Sequence, residues 1–185
     1  SKYHTFLSKR FDRRDDGKRI HFASAMTLLG LMDGANAGTG NGYLDIVDFM
    51  IQGCTNVEVN LQELYRRVAF NICVGNTDDH FRNHGFLLTP KGWTLSPAYD
   101  MNPTLNEQQS LLISSSSCES DLTILLDACE DYMLSKDMAV KIISEVVDTM
   151  KGWRQLAMRL QISKREIDLF AHRFDRYSSF VFSAV

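Results

Sequence analysis

An amphipathic helix that runs directly into a block of hydrogen-bonding side chains constrains this 185-residue chain more than any other feature. From Asn60, the apolar residues Leu61, Leu64, Val68 and Ile72 recur at helical spacing and make one face. Asn60 with Glu63 reads as a capping box, and Gly75 is a suitable C-terminal glycine. Residues 76 to 86 follow as N-T-D-D-H-F-R-N-H-G-F, holding two aspartates, two histidines, two asparagines and an arginine. The segments 85–89 and 92–96 flank Pro90-Lys91 and read as a β-hairpin. After Pro97 comes Ala98-Tyr99-Asp100-Met101-Asn102-Pro103-Thr104.

The remaining segments predict a mainly helical domain. Residues 3–11 alternate like a short strand, and 13–18 make a solvated turn. Phe22, Ala25, Met26 and Leu29 fall at helical spacing over 22–31. The glycine-rich stretch 34–42 has neither phosphate-binding glycine pattern and reads as a surface loop. Residues 106–120 form a polar connector. Three amphipathic helices are expected over 121–132, 136–160 and 164–182, the last opened by a capping box at Ser163 and Glu166.

Composition narrows the classes of function. Apolar residues make up 44% and charged residues 23%, an ordinary globular balance. A formal charge of −3 gives no general attraction for nucleic acid or anionic lipid. No apolar run approaches the roughly 20 residues that cross a bilayer. The cysteines Cys54, Cys73, Cys118 and Cys129 form no C-x-x-C pair, so a structural zinc site is not expected and a reduced, cytoplasmic setting fits.

The block at 76–86 has three readings. Asn, Asp and His after a helix often serve as caps and turns, but six of them with an arginine in eleven residues exceed that need. His80 and His84 have the helical spacing of a transition-metal pair, with Asp78 as a third ligand, yet Gly85 and the hairpin oppose a continuing helix. Phosphoryl transfer fits best. Asp78 precedes Asn83 by five positions, the spacing of base and metal-binding asparagine in the kinase loop H-R-D-x-x-x-x-N. A second carboxylate should then arrive from beyond a hairpin, and Asp100 stands there. Mg²⁺ prefers oxygen ligands and keeps several waters, so one Asn and one Asp suffice.

With L-S-P-A-Y-D-M-N-P-T after it, the block resembles the core signature of HipA-type serine/threonine kinases, the toxins of bacterial toxin–antitoxin modules. L-S-K-R-F-D-R-R at 7–14 is similar to the family's hinge segment, and 122–153 to its C-terminal helices. The resemblance implies a protein-kinase-like large lobe spanning 1–185, with the hinge at 1–14, the catalytic loop, hairpin and metal segment at 76–104, and helices at 121–182. It implies ATP and Mg²⁺ as cofactors, Asp78 as general base, and Asn83 and Asp100 as metal ligands. His80, Arg82 and Tyr99 would line the phosphates, and Lys9, Arg10 and Phe11 would meet the base. Asn76, Asp79 and His84 would buttress the loop. It points further to an antitoxin of HipB type as partner and to an aminoacyl-tRNA synthetase as protein substrate.

A kinase of this type also needs a phosphate-covering loop and a lysine from a small lobe, both preceding the hinge. Lys2 lies too close to the hinge to be that lysine. The chain alone is therefore expected to bind nucleotide weakly, with the small lobe supplied by a preceding region or a second polypeptide. The alternatives are a non-catalytic interaction module or pseudokinase, and a kinase acting on a lipid or small molecule.

Overall fold

The computed structural model describes residue 5 and residues 7–180. A single long helix, Val57–Val74 (α3 in the numbering below), organises the chain. Before it come strand β1 (Phe22–Ser24), the one-turn helix α1 (Ala25–Leu28) and helix α2 (Tyr43–Gly53). After it come strands β2 (Gly85–Thr89) and β3 (Gly92–Leu95), then helices α4 (Leu122–Asp127), α5 (Lys136–Met150), α6 (Trp153–Arg159) and α7 (Lys164–Phe174). The fold is mainly helical, with one three-stranded antiparallel sheet in the order β1-β2-β3.

Helix α3 is buried on most of its circumference: Leu61, Leu64, Tyr65, Val68, Ala69, Ile72 and Cys73 all lie in the core. Helices α2, α4, α5 and α7 pack around it. Helix α5 supplies the largest facing stripe, with Ala139, Ile142, Ile143, Val146 and Val147 buried at the i, i+3, i+4 spacing that puts them on one side. Tyr65 and Tyr132 meet edge to face with centroids 5.2 Å apart. Their hydroxyls donate to the carbonyls of Leu125 and Ile113, so both large rings are buried without an orphaned polar tip.

The hairpin forms as its sequence predicts, with Phe86 opposite Leu95 and Thr89 opposite Gly92. The sheet has a strand that periodicity hides. Residues 22–31 do not make one continuous helix: only Ala25–Leu28 is helical, while Phe22–Ser24 pairs with Gly85–Leu87, and Ser24, in extended conformation, caps α1 by accepting from the Thr27 amide. Hydrogen bonding to β2 outweighs the helical spacing. A Cβ on Gly85 would fall 2.2 Å from the Phe22 ring, so glycine is what admits that ring against the strand.

Other boundaries shift for local reasons. Helix α3 starts at Val57, three residues before Asn60, and Asn60 is not a cap. Its Nδ2 donates to the Thr55 carbonyl at 2.6 Å, and its Oδ1 accepts from the Leu95 amide at 2.8 Å and the Thr94 hydroxyl at 3.1 Å. The side chain is a buried pin between helix and hairpin. The segment expected at 136–160 breaks at Lys151–Gly152 into α5 and α6, and 121–132 ends in a 3₁₀ turn at Cys129–Tyr132. Helix α7 opens with the Ser163/Glu166 capping box but stops at Phe174, and residues 181–182 of that expected helix lie outside the described residues. The strand expected over 3–11 is not formed at 7–11, while Tyr3, His4 and Phe6 lie outside the described residues. The turn at 13–18 is present, closed by a bridge between Arg13 and Arg19. The glycine-rich stretch holds a capped 3₁₀ turn, Ala37–Thr39. All four cysteines are free thiols, and no helix among the described residues is long and apolar enough to cross a membrane.

The Asn60 pin gives a direct test. Asn60→Ala leaves the Leu95 amide and the Thr55 carbonyl without this partner in a closed interior, a loss of about 2–3 kcal/mol in urea unfolding. A change within about 0.5 kcal/mol would mean that the helix–hairpin junction does not depend on it.

Candidate functional site

The chain leaves α3 through Gly75 in the left-handed conformation, φ 68°, which reverses its direction at the helix end. Asn76 folds back over the last turn: its amide donates to the Asn71 carbonyl at 2.9 Å and its Nδ2 to Asn71 Oδ1 at 3.1 Å. Asp79 then turns inward. One carboxylate oxygen takes the Tyr43 hydroxyl from α2 at 2.7 Å, the Asn71 Nδ2 from α3 at 2.7 Å and the His84 Nε2 at 2.9 Å. Asp79 is 3% exposed and His84 2%. Burial alone would push the Asp79 carboxyl up, but the adjacent His84 and the hydrogen bonds from His84 and Tyr43 outweigh it and hold the pKa below the usual carboxylate range.

This inward residue fixes its neighbours. Asp78 is exposed, on the opposite side of the backbone from buried Asp79. Phe81 is fully buried and anchors a 3₁₀ turn at Phe81–Asn83, closed by the Asn83 amide on the His80 carbonyl at 2.8 Å. Asn83 Nδ2 reaches back toward the Asp78 carbonyl at 3.4 Å, which leaves its Oδ1 as a possible ligand. His80 and His84 do not share a helix, and His84 Nε2 is committed to Asp79, so the spacing of a transition-metal pair is not realised.

The hairpin returns the chain beside this loop. Tyr99 donates its hydroxyl to the Arg82 carbonyl at 2.6 Å, tying the segment that carries Asp100 to the turn that carries Asn83. Burial pushes the Tyr99 hydroxyl up to about 12, so it stays a donor at neutral pH. Asp100 is exposed with φ 57°, a left-handed conformation that costs a non-glycine residue and occurs where the surroundings enforce it. Its Oδ1 accepts from Asn102 at 2.8 Å.

A pocket of about 390 Å³ opens next to these groups, lined by Arg10, Phe11, Asp12, Phe22, Arg82 and Tyr99. Phe11 lies 5.9 Å from both Phe22 and Tyr99, an aromatic wall suited to a flat ring. Arg10 forms a fork on Asp12 at 2.8 and 2.7 Å, and that hydrogen bonding holds the Asp12 carboxyl down to about 2. The Arg82 guanidinium pairs with Asp33 at 2.6 Å. Lys9 stands outside the lining, with its ammonium on Asp15 at 2.8 Å. Phe22 and Asp33 had no local sequence signal, because their places depend on strand pairing and on a contact 49 positions apart. Tyr43 was equally hidden, 36 positions from the carboxylate it serves.

The structure is thus a mainly helical fold in which a hairpin carries the chain back to the turn at Phe81–Asn83. The family model of the HipA-like C-terminal domain matches residues 1–154, and the chain belongs to that family. It is similar to a serine/threonine-protein kinase toxin HipA of Shewanella oneidensis, 31% identical over 117 residues that cover 54% of this chain and 27% of the relative. A putative kinase of Haemophilus influenzae is 29% identical over 101 residues, covering 51% of this chain and 29% of that protein. The matched segments therefore cover under a third of the length of these curated relatives. Among solved structures, HipA from Shewanella oneidensis in complex with HipB and operator DNA shares the fold, with a TM-score of 0.73 at 18% identity over 92% of this chain and 46% of that one.

The depressed Asp79 carboxyl has a pH signature. A group whose folded pKa lies below its unfolded value of about 4 adds stability above that value and loses it as pH falls through the folded pKa. Asp79→Asn, which removes the carboxylate oxygen that Tyr43, Asn71 and His84 share in a closed interior, should cost about 3 kcal/mol or more at neutral pH. In thermal unfolding, the gap between wild type and variant should close below about pH 4. A gap independent of pH would show that Asp79 is not held as a carboxylate.

Proposed function

We propose that this chain forms the large lobe of an ATP-dependent serine/threonine protein kinase of the HipA type. The observation that carries the reading is the tie from Tyr99 to the Arg82 carbonyl, which brings the Asp100 segment against the Asp78–Asn83 loop and next to an aromatic pocket. On this reading Phe11, Phe22 and the backbone near Arg10 take the base, with Lys9 at the pocket's edge. His80, Arg82 and Tyr99 face the phosphates.

Asp78 is the general base. Its exposed carboxylate accepts the proton of an incoming serine or threonine hydroxyl, and the loop beneath it is too firmly tied to Asp79 to swing away. The Asn83 carboxamide oxygen and the Asp100 carboxylate are hard oxygen donors of the kind Mg²⁺ takes, and the enforced left-handed backbone at Asp100 fits a residue held for such a role. When bound there, Mg²⁺ would neutralise charge on the phosphates. A partner of HipB type and an aminoacyl-tRNA synthetase substrate belong to the same proposal. The first is supported by the HipA–HipB assembly of the structural relative, and the second by family resemblance alone.

The test has two arms. Mn²⁺ should raise the melting temperature of this chain, and Asn83→Ala with Asp100→Ala should abolish that rise. In a polypeptide that also supplies the phosphate-covering loop and lysine, Asp78→Asn should cut phosphate transfer from ATP to protein by about 10²–10⁴-fold while Mn²⁺ binding persists. Full transfer by Asp78→Asn would overturn the base assignment. An unchanged melting temperature with Mn²⁺ would favour the interaction-module alternative.

A further inference from the structure

We infer that Arg173, on the C-terminal helix α7, is a positioning residue for this site, setting the geometry of both its segments from behind. The inference rests on the reading above for what the site does, but its contacts stand independently. Arg173 is 7% exposed, although it lies on a helix with no other buried residue. Its side chain crosses the point where α3 ends: a Cβ on Gly75 would fall 2.6 Å from Arg173 Cδ and 3.1 Å from Nη1. The side chain therefore occupies the volume that any residue but glycine would claim at the pivot into the Asp78 loop.

The other end of the guanidinium holds the second segment. Nη2 donates to the Leu105 carbonyl at 2.9 Å and to Glu107 Oε1 at 3.1 Å. The stretch from Asp100 to Glu107 is bound to the same pivot, because the Thr104 amide donates to the Gly75 carbonyl at 2.9 Å and the Thr104 and Thr77 hydroxyls bond to each other. Further on, the Ser110 amide and hydroxyl both donate to the Thr77 carbonyl at 2.9 and 2.8 Å. Thr77 immediately precedes Asp78. Arg173 is thus the clamp from α7 on a junction where the end of α3, the Asp78 loop and the segment after Asp100 meet.

The nature of the contact argues for geometry over charge. Glu107 is 77% exposed, so its ion pair with Arg173 is screened and worth little. The Leu105 carbonyl and the packing over Gly75 remain as the constraints. Helix α7 also lies beyond residue 154, where the family match ends.

Hydrogen-exchange mass spectrometry on this chain, paired with Mn²⁺ affinity by electron paramagnetic resonance, tests the inference. Arg173→Ala should speed exchange at residues 75–79 and 104–110 by about tenfold, with residues 64–72 and 142–147 unchanged. Arg173→Lys, which keeps the aliphatic shaft and a donor for Leu105, should restore most of the protection. Glu107→Gln should match wild type. Arg173→Ala should also weaken Mn²⁺ at least about threefold without removing a ligand. Unchanged exchange at 75–79, or an equal rise across loop and core in both Arg173 variants, would overturn the inference. So would equal Mn²⁺ affinity in wild type and Arg173→Ala. If wild type binds no Mn²⁺, the metal assignment proposed above fails, and the exchange data alone decide the role of Arg173.

Discussion

A single carboxylate oxygen of Asp79 accepts from three directions, and the architecture of the site depends on it. The donors come from α2, from α3 and from the residue that leads into β2, so one buried charge joins the three elements around the loop. A carboxylate can be kept ionised in an interior only where it is paired and hydrogen-bonded, because desolvation otherwise neutralises it. Tyr43, Asn71 and His84 together meet that condition. The alternation follows directly: Asp79 must face in, so Asp78 faces out. The same carboxylate type, one residue apart, is structural in one place and available to a ligand in the other.

The second half of the site is fixed by different means. Asp100 sits on a segment that has no regular structure, and its position is imposed by tethers on both sides. Tyr99 holds it to the Arg82 carbonyl, and Thr104 holds it to Gly75. Arg67, in the middle of α3, donates to the Ser96 carbonyl at 2.6 Å and so fixes where the hairpin hands over to this segment. With both ends held, the left-handed backbone at Asp100 is sustained by its surroundings, and aspartate is among the residue types that tolerate it.

The sequence was legible where local chemistry decides and opaque where distant pairing decides. The α3 face, its end at Gly75, the hairpin and the Ser163 capping box all depend on residues within a few positions of one another, and all are present. The buttressing of the loop by Asn76, Asp79 and His84 was an expectation of the family resemblance, and neither it nor local pattern pointed to the partners Tyr43 and Asn71. Strand β1 was lost because Phe22, Ala25, Met26 and Leu29 satisfy helical spacing, and only the pairing with β2 shows otherwise. Helix α2 passed unnoticed behind the glycine-rich loop. Asn60 and Glu63 fit the capping pattern by spacing alone; the fold uses the Asn60 amide across to the hairpin instead. The metal roles of Asn83 and Asp100 rested on kinase-loop spacing and family resemblance, the nucleotide roles on resemblance alone, and geometry adds which residues converge: Arg10, Phe11, Arg82 and Tyr99 line one pocket, and Lys9 does not.

The charges around that pocket are compatible with the phosphate-facing role proposed for it. Both arginines lining it are already paired, Arg10 with Asp12 and Arg82 with Asp33. Asp33 is 79% exposed and the Arg82 side chain 50%, so their pair sits in high dielectric and is worth little when opened. A dianionic phosphate offers that guanidinium a bidentate partner of higher charge, at the cost of a weak surface contact. The Arg82 backbone does not have to move in the exchange, because its carbonyl stays bonded to Tyr99. On the proposed reading, the guanidinium turns toward the nucleotide while the turn bearing Asn83 remains fixed. Rigidity in the backbone and freedom in one long side chain are thus separated within a single residue, which lets charge be delivered without disturbing the groups that must stay aligned.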